Sequence, residues 1–396
     1  VNLDEVVEIL GADIERPVVL YDAALRLLAF STHQSDVDEA RRAVILTRRA
    51  SARATEMIDA SGASRSREPV RIPVDHATGT PGRVAYTVRW RDQVVGYLVY
   101  VDEHPDEPLP QYHAQVLYAV GEQLSQLLHD REQVRRQEEE QVLDLLRQLI
   151  SANADDRAKA AAEAVHSGRL SASPSTAALA LTTRAALGGG PLPAGELARL
   201  EEALTEVLRL APSGAIGAVL GDHAAVIQTR PLDLDRLRRR TRARRDVGVG
   251  VGDPRPSLAA VSESYREAVI SSRATWLDPG QYAGMAAWAD LGTDRLLLQL
   301  PLSELTEADL PAPVRRLLAV GSGPNLAATL ECYLDAGCDA QATARVLMIH
   351  RSSLYYRLDR IREIIEVDLA DGRVRRDLHI GLRAASLCGM RTRERS

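Results

Sequence analysis

Between residues 342 and 361 the chain reads ATARVLMIHRSSLYYRLDRI, which gathers four arginines, two serines, a histidine and two adjacent tyrosines. These side chains suit recognition of a polyanion rather than covalent chemistry. A guanidinium donates two parallel hydrogen bonds to guanine or to phosphate, hydroxyls reach bases or phosphates, and a helix N-terminus favours an anionic oxygen. From 340 to 362 five arginines (345, 351, 357, 360, 362) face one acid, Asp359, inside a chain of net charge −6. The field at the contact surface decides binding, so the acidic total does not exclude nucleic acid.

The elements that must position these residues are helical. LAATLECYLDAG (326–337) reads as a first helix closed by Gly337, and Asp339 stands where an N-cap would open a second, Ala340–Leu347. A third begins at Ser352 or a neighbour and runs through about Ile365, completing a helix-turn-helix. Ala344 is small where two helices approach, Ile349 plugs the turn, and Leu354, Leu358 and Ile361 recur on one face. That places His350, Arg351, Ser352, Ser353, Tyr355 and Tyr356 at the end of the 350–364 helix that meets base edges in the major groove. Arg351 is the first candidate for a base or a critical phosphate, while Arg345, Arg357 and Arg360 hold the backbone. Met348 departs from the pattern, since glycine is frequent at such a turn. The plainer reading is a three-helix interaction module with no DNA role.

ATARVLMIHRSSLYYRLDRIREI, followed by VDLADGRVRRDLHIGLRAA, resembles the C-terminal helix-turn-helix of the PucR/CdaR family of bacterial transcription regulators over about residues 326–387. Ser352 stands where that family commonly has Asn, and Asp339 where an Asn often precedes the second helix. The first difference touches a base-reading position, so no operator sequence carries over. The resemblance implies a dimeric regulator of purine, sugar-acid or related catabolism, with activation as the commoner behaviour.

The rest of the chain must position this element and regulate it. At 396 residues, 45% hydrophobic and 26% charged, it is long enough for two to four domains with ordinary cores. No long apolar segment or secretory leader is visible, and three cysteines without a C-x-x-C pair suit reduced thiols, so a cytoplasmic protein without structural zinc is expected. Residues 17–31 hold two apolar runs around YDAA, residues 36–58 suit a helix, and strands are expected at 70–74, 83–90 and 94–102. This order is similar to a GAF or PAS sensor domain. Asp75, His76, Arg83 and Tyr86 are polar candidates no better than their neighbours, so the effector-binding residues are unknown. From 111 to about 150 one helix carries a 3,4-spaced seam of Leu117, Val120, Leu124, Leu127, Val134, Leu145 and Leu149, interrupted at Arg131, Glu138 and Gln141. It suits either a dimeric connecting helix or a solvated linker.

After SGRLSASPST, strands at 177–184, 215–222, 223–230 and 246–252 alternate with helices at 195–210, 232–245 and 258–274, the plan of a ferredoxin-like palm. GVGVGDPRPSLAAVSESYREAVISSR and AWADLGTDRLLLQL resemble the GGDEF-like module of the same family. Active cyclases of that fold carry G-G-D-E-F on the hairpin, whereas this chain has LGDHA at 220–224, where His223 replaces the second carboxylate. One acid is a poor basis for two-metal chemistry. GGGPLPAG (188–195) reads as a loop, and the basic run RLRRRTRARR (236–245) as a solvated helix face, with direct DNA contact the lesser reading.

The expected fold is multidomain α/β (α+β): a GAF/PAS-like sensor at 1–110, a connecting helix at 111–165, a degenerate GGDEF-like ferredoxin-type palm at 166–305 and an all-α helix-turn-helix domain at 306–396. The expected function is a ligand-responsive DNA-binding transcriptional regulator. Its partners are double-stranded DNA, a small-molecule effector and further copies of the chain, as a homodimer or higher oligomer, with no membrane, metal, cofactor or catalytic residue. The alternatives are a small-molecule-responsive scaffold and a degenerate nucleotide-cyclase-type enzyme without DNA binding.

Overall fold

The structure is a computed structural model that describes residues 2–32, 44, 48, 50–76, 80–211, 214–320 and 325–391. Chain contacts divide it into two compact units, Val1–Glu138 and Glu139–Ser396. The expected helix at 36–58 falls outside the described residues over most of its first part, and Ala52–Ala60 is helical.

The first unit is built on one antiparallel sheet of β1 (Val18–Asp22), β2 (Leu27–Phe30), β3 (Val70–Ile72), β4 (Arg83–Trp90) and β5 (Gln93–Val101), ordered β2-β1-β5-β4-β3. Its strands are apolar almost throughout because both faces are covered. Val18, Leu20, Leu98 and Tyr100 face the helix Leu3–Ile14 and the start of the long helix Gln111–Leu149. Val19, Tyr21, Tyr97 and Val99 pack with Ile58 and Ala63 on the other side. The helix Leu3–Ile14 escaped the sequence reading, although Leu3, Val7, Leu10 and Ile14 mark its buried stripe.

The segment 111–165 holds two helices. Gln111–Leu149 ends before Asn153, whose side chain caps Ala154–His166 by accepting from Asp155 N. Leu117 and Leu124 of the seam are buried against the sheet of the first unit, and Leu145 and Leu149 lie in an apolar cluster of the second. Val134, between these ends, is 57% exposed.

In the second unit β6 (Ala177–Thr182), β7 (Ala215–Val219), β8 (His223–Gln228) and β9 (Gly248–Val251) form an antiparallel sheet in the order β9-β6-β8-β7. This is the expected ferredoxin-like plan. A fifth strand, β10 (Met285–Ala287), for which the sequence pattern gave no expectation, adds to β9 in parallel and ends at Ala287, the first residue of AWADLGTDRLLLQL. The alternating glycines of GVGVG have a packing reason. A Cβ on Gly250 would lie 1.9 Å from Ala268 O of the helix Val261–Leu277, and one on Gly252 would lie 1.9 Å from Ser264 O. Strand and helix backbones meet with nothing between them, which only glycine permits.

The C-terminal part is helical: Ala312–Leu318, Leu326–Asp335, Ala340–Val346, Arg351–Ile365 and Gly372–Leu387. These helices share one core of Val314, Leu330, Leu354, Leu358, Ile361, Leu378 and Leu382, among others.

Candidate DNA-binding site

Each turn of the C-terminal element has a local cause. Leu326–Asp335 is capped by Asn325, which accepts from Ala328 N at 2.9 Å. It closes through Gly337 and Cys338, both left-handed, with Cys338 N donating to Tyr333 O at 2.8 Å. Asp339 then caps Ala340–Val346, accepting from Gln341 N at 2.7 Å and Ala342 N at 3.1 Å. These two backbone donors hold its carboxyl below the usual carboxylate range.

Ile349 N returns to Ala344 O at 3.0 Å, and Ile349 packs on the core as expected. Met348 adopts φ +52, so the turn does demand the left-handed region, which costs a non-glycine residue about 1 kcal/mol. Its side chain is 89% exposed. His350, rather than Ser352, caps the third helix. Its Nδ1 accepts from Ser352 N at 3.4 Å and lies 2.8 Å from Ser352 Oγ. With Nδ1 as the acceptor, Nε2 carries the proton and is a donor for a ligand. Leu354, Leu358, Ile361 and Ile365 are at most 1% exposed, each contributing about 1.5–3 kcal/mol by burial.

The opposite face is the surface the sequence reading pointed to. Arg351, Ser352, Ser353, Tyr355 and Tyr356 are all exposed at the first turns of Arg351–Ile365, beside exposed His350 and Arg345. The Arg351 side chain makes no hydrogen bond or ion pair among the described residues, which leaves its planar fork uncommitted. Arg360 meets Glu363 at 2.7 Å, an exposed pair of little energetic consequence. Arg357 is placed differently from the others. It is half-buried, with Nη1 donating to Thr329 Oγ1 at 3.2 Å, so it braces the third helix against the first. Met348, at the turn before the third helix, is exposed beside His350 and Arg351.

In the palm-like domain the hairpin loop is spent on internal bonds. His223 Nδ1 lies 2.7 Å from Asp222 Oδ1, and His223 Nε2 lies 2.6 Å from the Tyr265 hydroxyl. Burial, then Asp222, push the Tyr265 phenol up to about 12. Of the basic run, Arg238 pairs with Asp290, Arg240 with Glu206, and Arg244 with Glu202, Glu206 and Asp246.

Two of the four polar positions of the first unit, Asp75 and Tyr86, are engaged within it. Asp75 is buried and pairs with Arg53 at 3.1 Å, whereas Tyr86 packs edge-on against Tyr118, over Gly121 of the long helix. A cavity of about 240 Å³ instead opens among Asp22, Leu28, Val95, Leu128, Arg131, Glu132, Val134, Arg135 and Glu138. Asp22 is 9% exposed, and its Oδ1 accepts from Ala24 N and Arg26 N. Its Oδ2 has no hydrogen-bond partner among the described residues. The only hint in the sequence was the YDAA turn.

A helix-turn-helix with an exposed, cationic and hydroxyl-bearing third helix, carried behind a ferredoxin-like palm, defines a DNA-binding transcriptional regulator. Comparison with known proteins agrees: residues 326–384 match the PucR C-terminal helix-turn-helix domain, and residues 151–274 match the GGDEF-like domain. The chain carries a C-terminal helix-turn-helix of the PucR type together with a GGDEF-like domain, and is a DNA-binding transcriptional regulator. It is 22% identical to the proline-responsive transcriptional activator PutR of Bacillus subtilis (strain 168) over 400 residues, 96% of each chain. A solved structure, the regulator of polyketide synthase expression from Bifidobacterium adolescentis, matches at 16% identity with a TM-score of 0.22, over 64% of this chain and 99% of that one. Among the described residues no helix is long and apolar enough to cross a membrane.

Proposed function

We propose that this regulator acts in the cytoplasm as a homodimer, reads the major groove with His350, Arg351, Ser352, Ser353, Tyr355 and Tyr356, and holds the DNA backbone with Arg345 and Arg360. Arg357 belongs to the same element as the brace that sets the third helix on the first. The observation that carries this reading is the uncommitted Arg351 guanidinium one residue beyond the His350 cap, at the end of the helix that enters a groove. Two such helices across a dimer would read half-sites about 34–36 Å apart or multiples of that spacing. Arg351→Ala should weaken binding to DNA from the protein's own upstream region by about 1–3 kcal/mol, roughly 5- to 150-fold. Binding to a scrambled duplex should change far less. Anisotropy titrations in which both duplexes weaken equally, or neither does, would refute the base-reading role.

The same reading divides the chain into a sensor at 1–110, a connecting segment at 111–165, a palm at 166–305 without cyclase chemistry and the DNA-binding domain at 306–396. Supporting the non-catalytic palm, the one hairpin acid, Asp222, is engaged by His223. Supporting the sensor, the mostly buried Asp22 carboxylate, with one oxygen not engaged, and the exposed, unpaired Arg131 guanidinium line one cavity beside apolar Leu28, Val95 and Leu128. The name of the Bacillus subtilis relative describes an activator that responds to a small amino acid, which accords with an effector of modest size here. Asp22→Asn combined with Arg131→Gln should abolish the effector-dependent change in reporter transcription and leave effector-free DNA binding intact. A full response in that variant would move the effector site elsewhere.

A further inference from the structure

We propose that an arginine ridge on the palm-like domain is a second, sequence-independent contact with the DNA phosphate backbone. The helix Leu234–Ala243 and the residues that follow carry seven arginines between 236 and 245. They fall into two sets. Arg238, Arg240 and Arg244 are tied to Asp290, Glu206, Glu202 and Asp246 of the same unit. Arg236, Arg239, Arg242 and Arg245 are exposed and form no ion pair or side-chain hydrogen bond among the described residues.

The split follows helix geometry. Leu237 and Thr241 are buried and fix the inward direction. At about 100° per residue, Arg239 then points directly outward, with Arg236 and Arg242 within roughly 60° on either side. The paired Arg238 and Arg240 flank the helix, where acids of neighbouring elements reach them. Arg236, Arg239 and Arg242 therefore form an outward row about 9 Å long, at 1.5 Å per residue, and Arg245 extends it past the helix end.

The ridge is tied to the DNA-binding domain through the second unit. Arg238 holds Asp290 at 3.1 Å, the backbone at Gly284 abuts Thr241 O, and neighbouring Trp288 and Leu291 share an apolar cluster with Leu387 of the last helix. The proposal rests on the regulator reading, because DNA already held by the recognition helix meets a tethered cationic row at high effective concentration.

The test is the salt dependence of binding by the full chain. R236Q/R239Q/R242Q/R245Q should bind the upstream duplex and a scrambled duplex of equal length with a log–log salt slope shallower by about 2–4. Affinity for both should fall roughly tenfold or more near 0.15 M salt, leaving their ratio unchanged. The matching lysine variant should recover the slope, which a merely structural role for arginine would not allow. A glutamine variant with the wild-type slope would overturn the ridge alone, whereas wild-type protein that bound no DNA at low salt would overturn the regulator reading with it. An unaltered DNA slope together with weakened binding to phosphatidylglycerol vesicles would assign the ridge to a lipid surface and refute the proposal. If the glutamine variant misfolds by circular dichroism, the single Arg239→Glu, fully outward, should still flatten the slope, and its failure to do so counts against the ridge equally.

Discussion

Arg383→Ala should lower the stability of the 139–396 unit by about 3–5 kcal/mol, the cost of stranding buried charges, and its thermal midpoint by roughly 6–20 °C. Arg383 lies on the last helix of the DNA-binding domain, and its fork spans two buried carboxylates. Nη1 reaches Asp278 at 2.5 Å, Nε reaches Asp294 at 2.9 Å, and Nη2 donates to the second Asp294 oxygen. Tyr282 also donates to Asp294, at 2.8 Å. Burial alone would lower the Arg383 pKa, but the two carboxylates outweigh it and raise the pKa above the ordinary arginine value. Asp278, Tyr282 and Asp294 follow the helix Val261–Leu277, so the cluster fastens the last helix of the chain to the segment after that helix. Removing the arginine leaves two carboxylates buried together. Removing the whole cluster, as D278N/R383M/D294N, should cost much less, since polar desolvation disappears with the charges. Arg383→Lys should recover only part of the loss because an ammonium cannot span both partners. Urea or thermal unfolding measures each step, and an Arg383→Ala midpoint within a degree or two of wild type would rule out the clamp.

Gly250→Val should cost still more, at least about 4 kcal/mol, and should leave little folded palm to purify. The nearest atoms to a side chain there are backbone, Ala268 O at 1.9 Å and Ser272 N at 2.3 Å, and backbone cannot swing aside as a side chain can. The helix itself would have to lift from the sheet, taking with it the buried bond from Ala178 N to Ser264 Oγ. Gly188→Ala is the matched control, because nothing lies within 4 Å of its Cβ and its φ is not positive, so its effect should stay within about 0.5 kcal/mol. Soluble yield and circular dichroism distinguish the two, and a well-folded Gly250→Val protein would show that the close approach is not required.

Much of this protein was legible because its decisive patterns are local. Gly337, Asp339, Ile349 and the Leu354, Leu358, Ile361 spacing each act within a few residues, and local hydrogen bonds and burial are what a linear pattern records. The same holds for the βαββαβ order of the palm and for the hairpin whose second acid is His223. The charge pattern of RLRRRTRARR was also visible, but which arginines are spent on acids depends on Glu206 and Asp290, 38 and 52 residues from Arg244 and Arg238.

The sequence by itself determined the class of the protein and the exposed edge of the third helix, since a capped helix-turn-helix with its apolar and cationic faces apart allows one way round. Only the tertiary structure decided that Arg357 turns back to Thr329, and that Arg383 reaches Asp278 and Asp294 across 105 and 89 residues. It also decided that Asp22 and Arg131 share a cavity. The physical reason is the same in each case: a long side chain can reach several partners, and folding, by burying one candidate and exposing another, chooses among groups that are far apart along the chain.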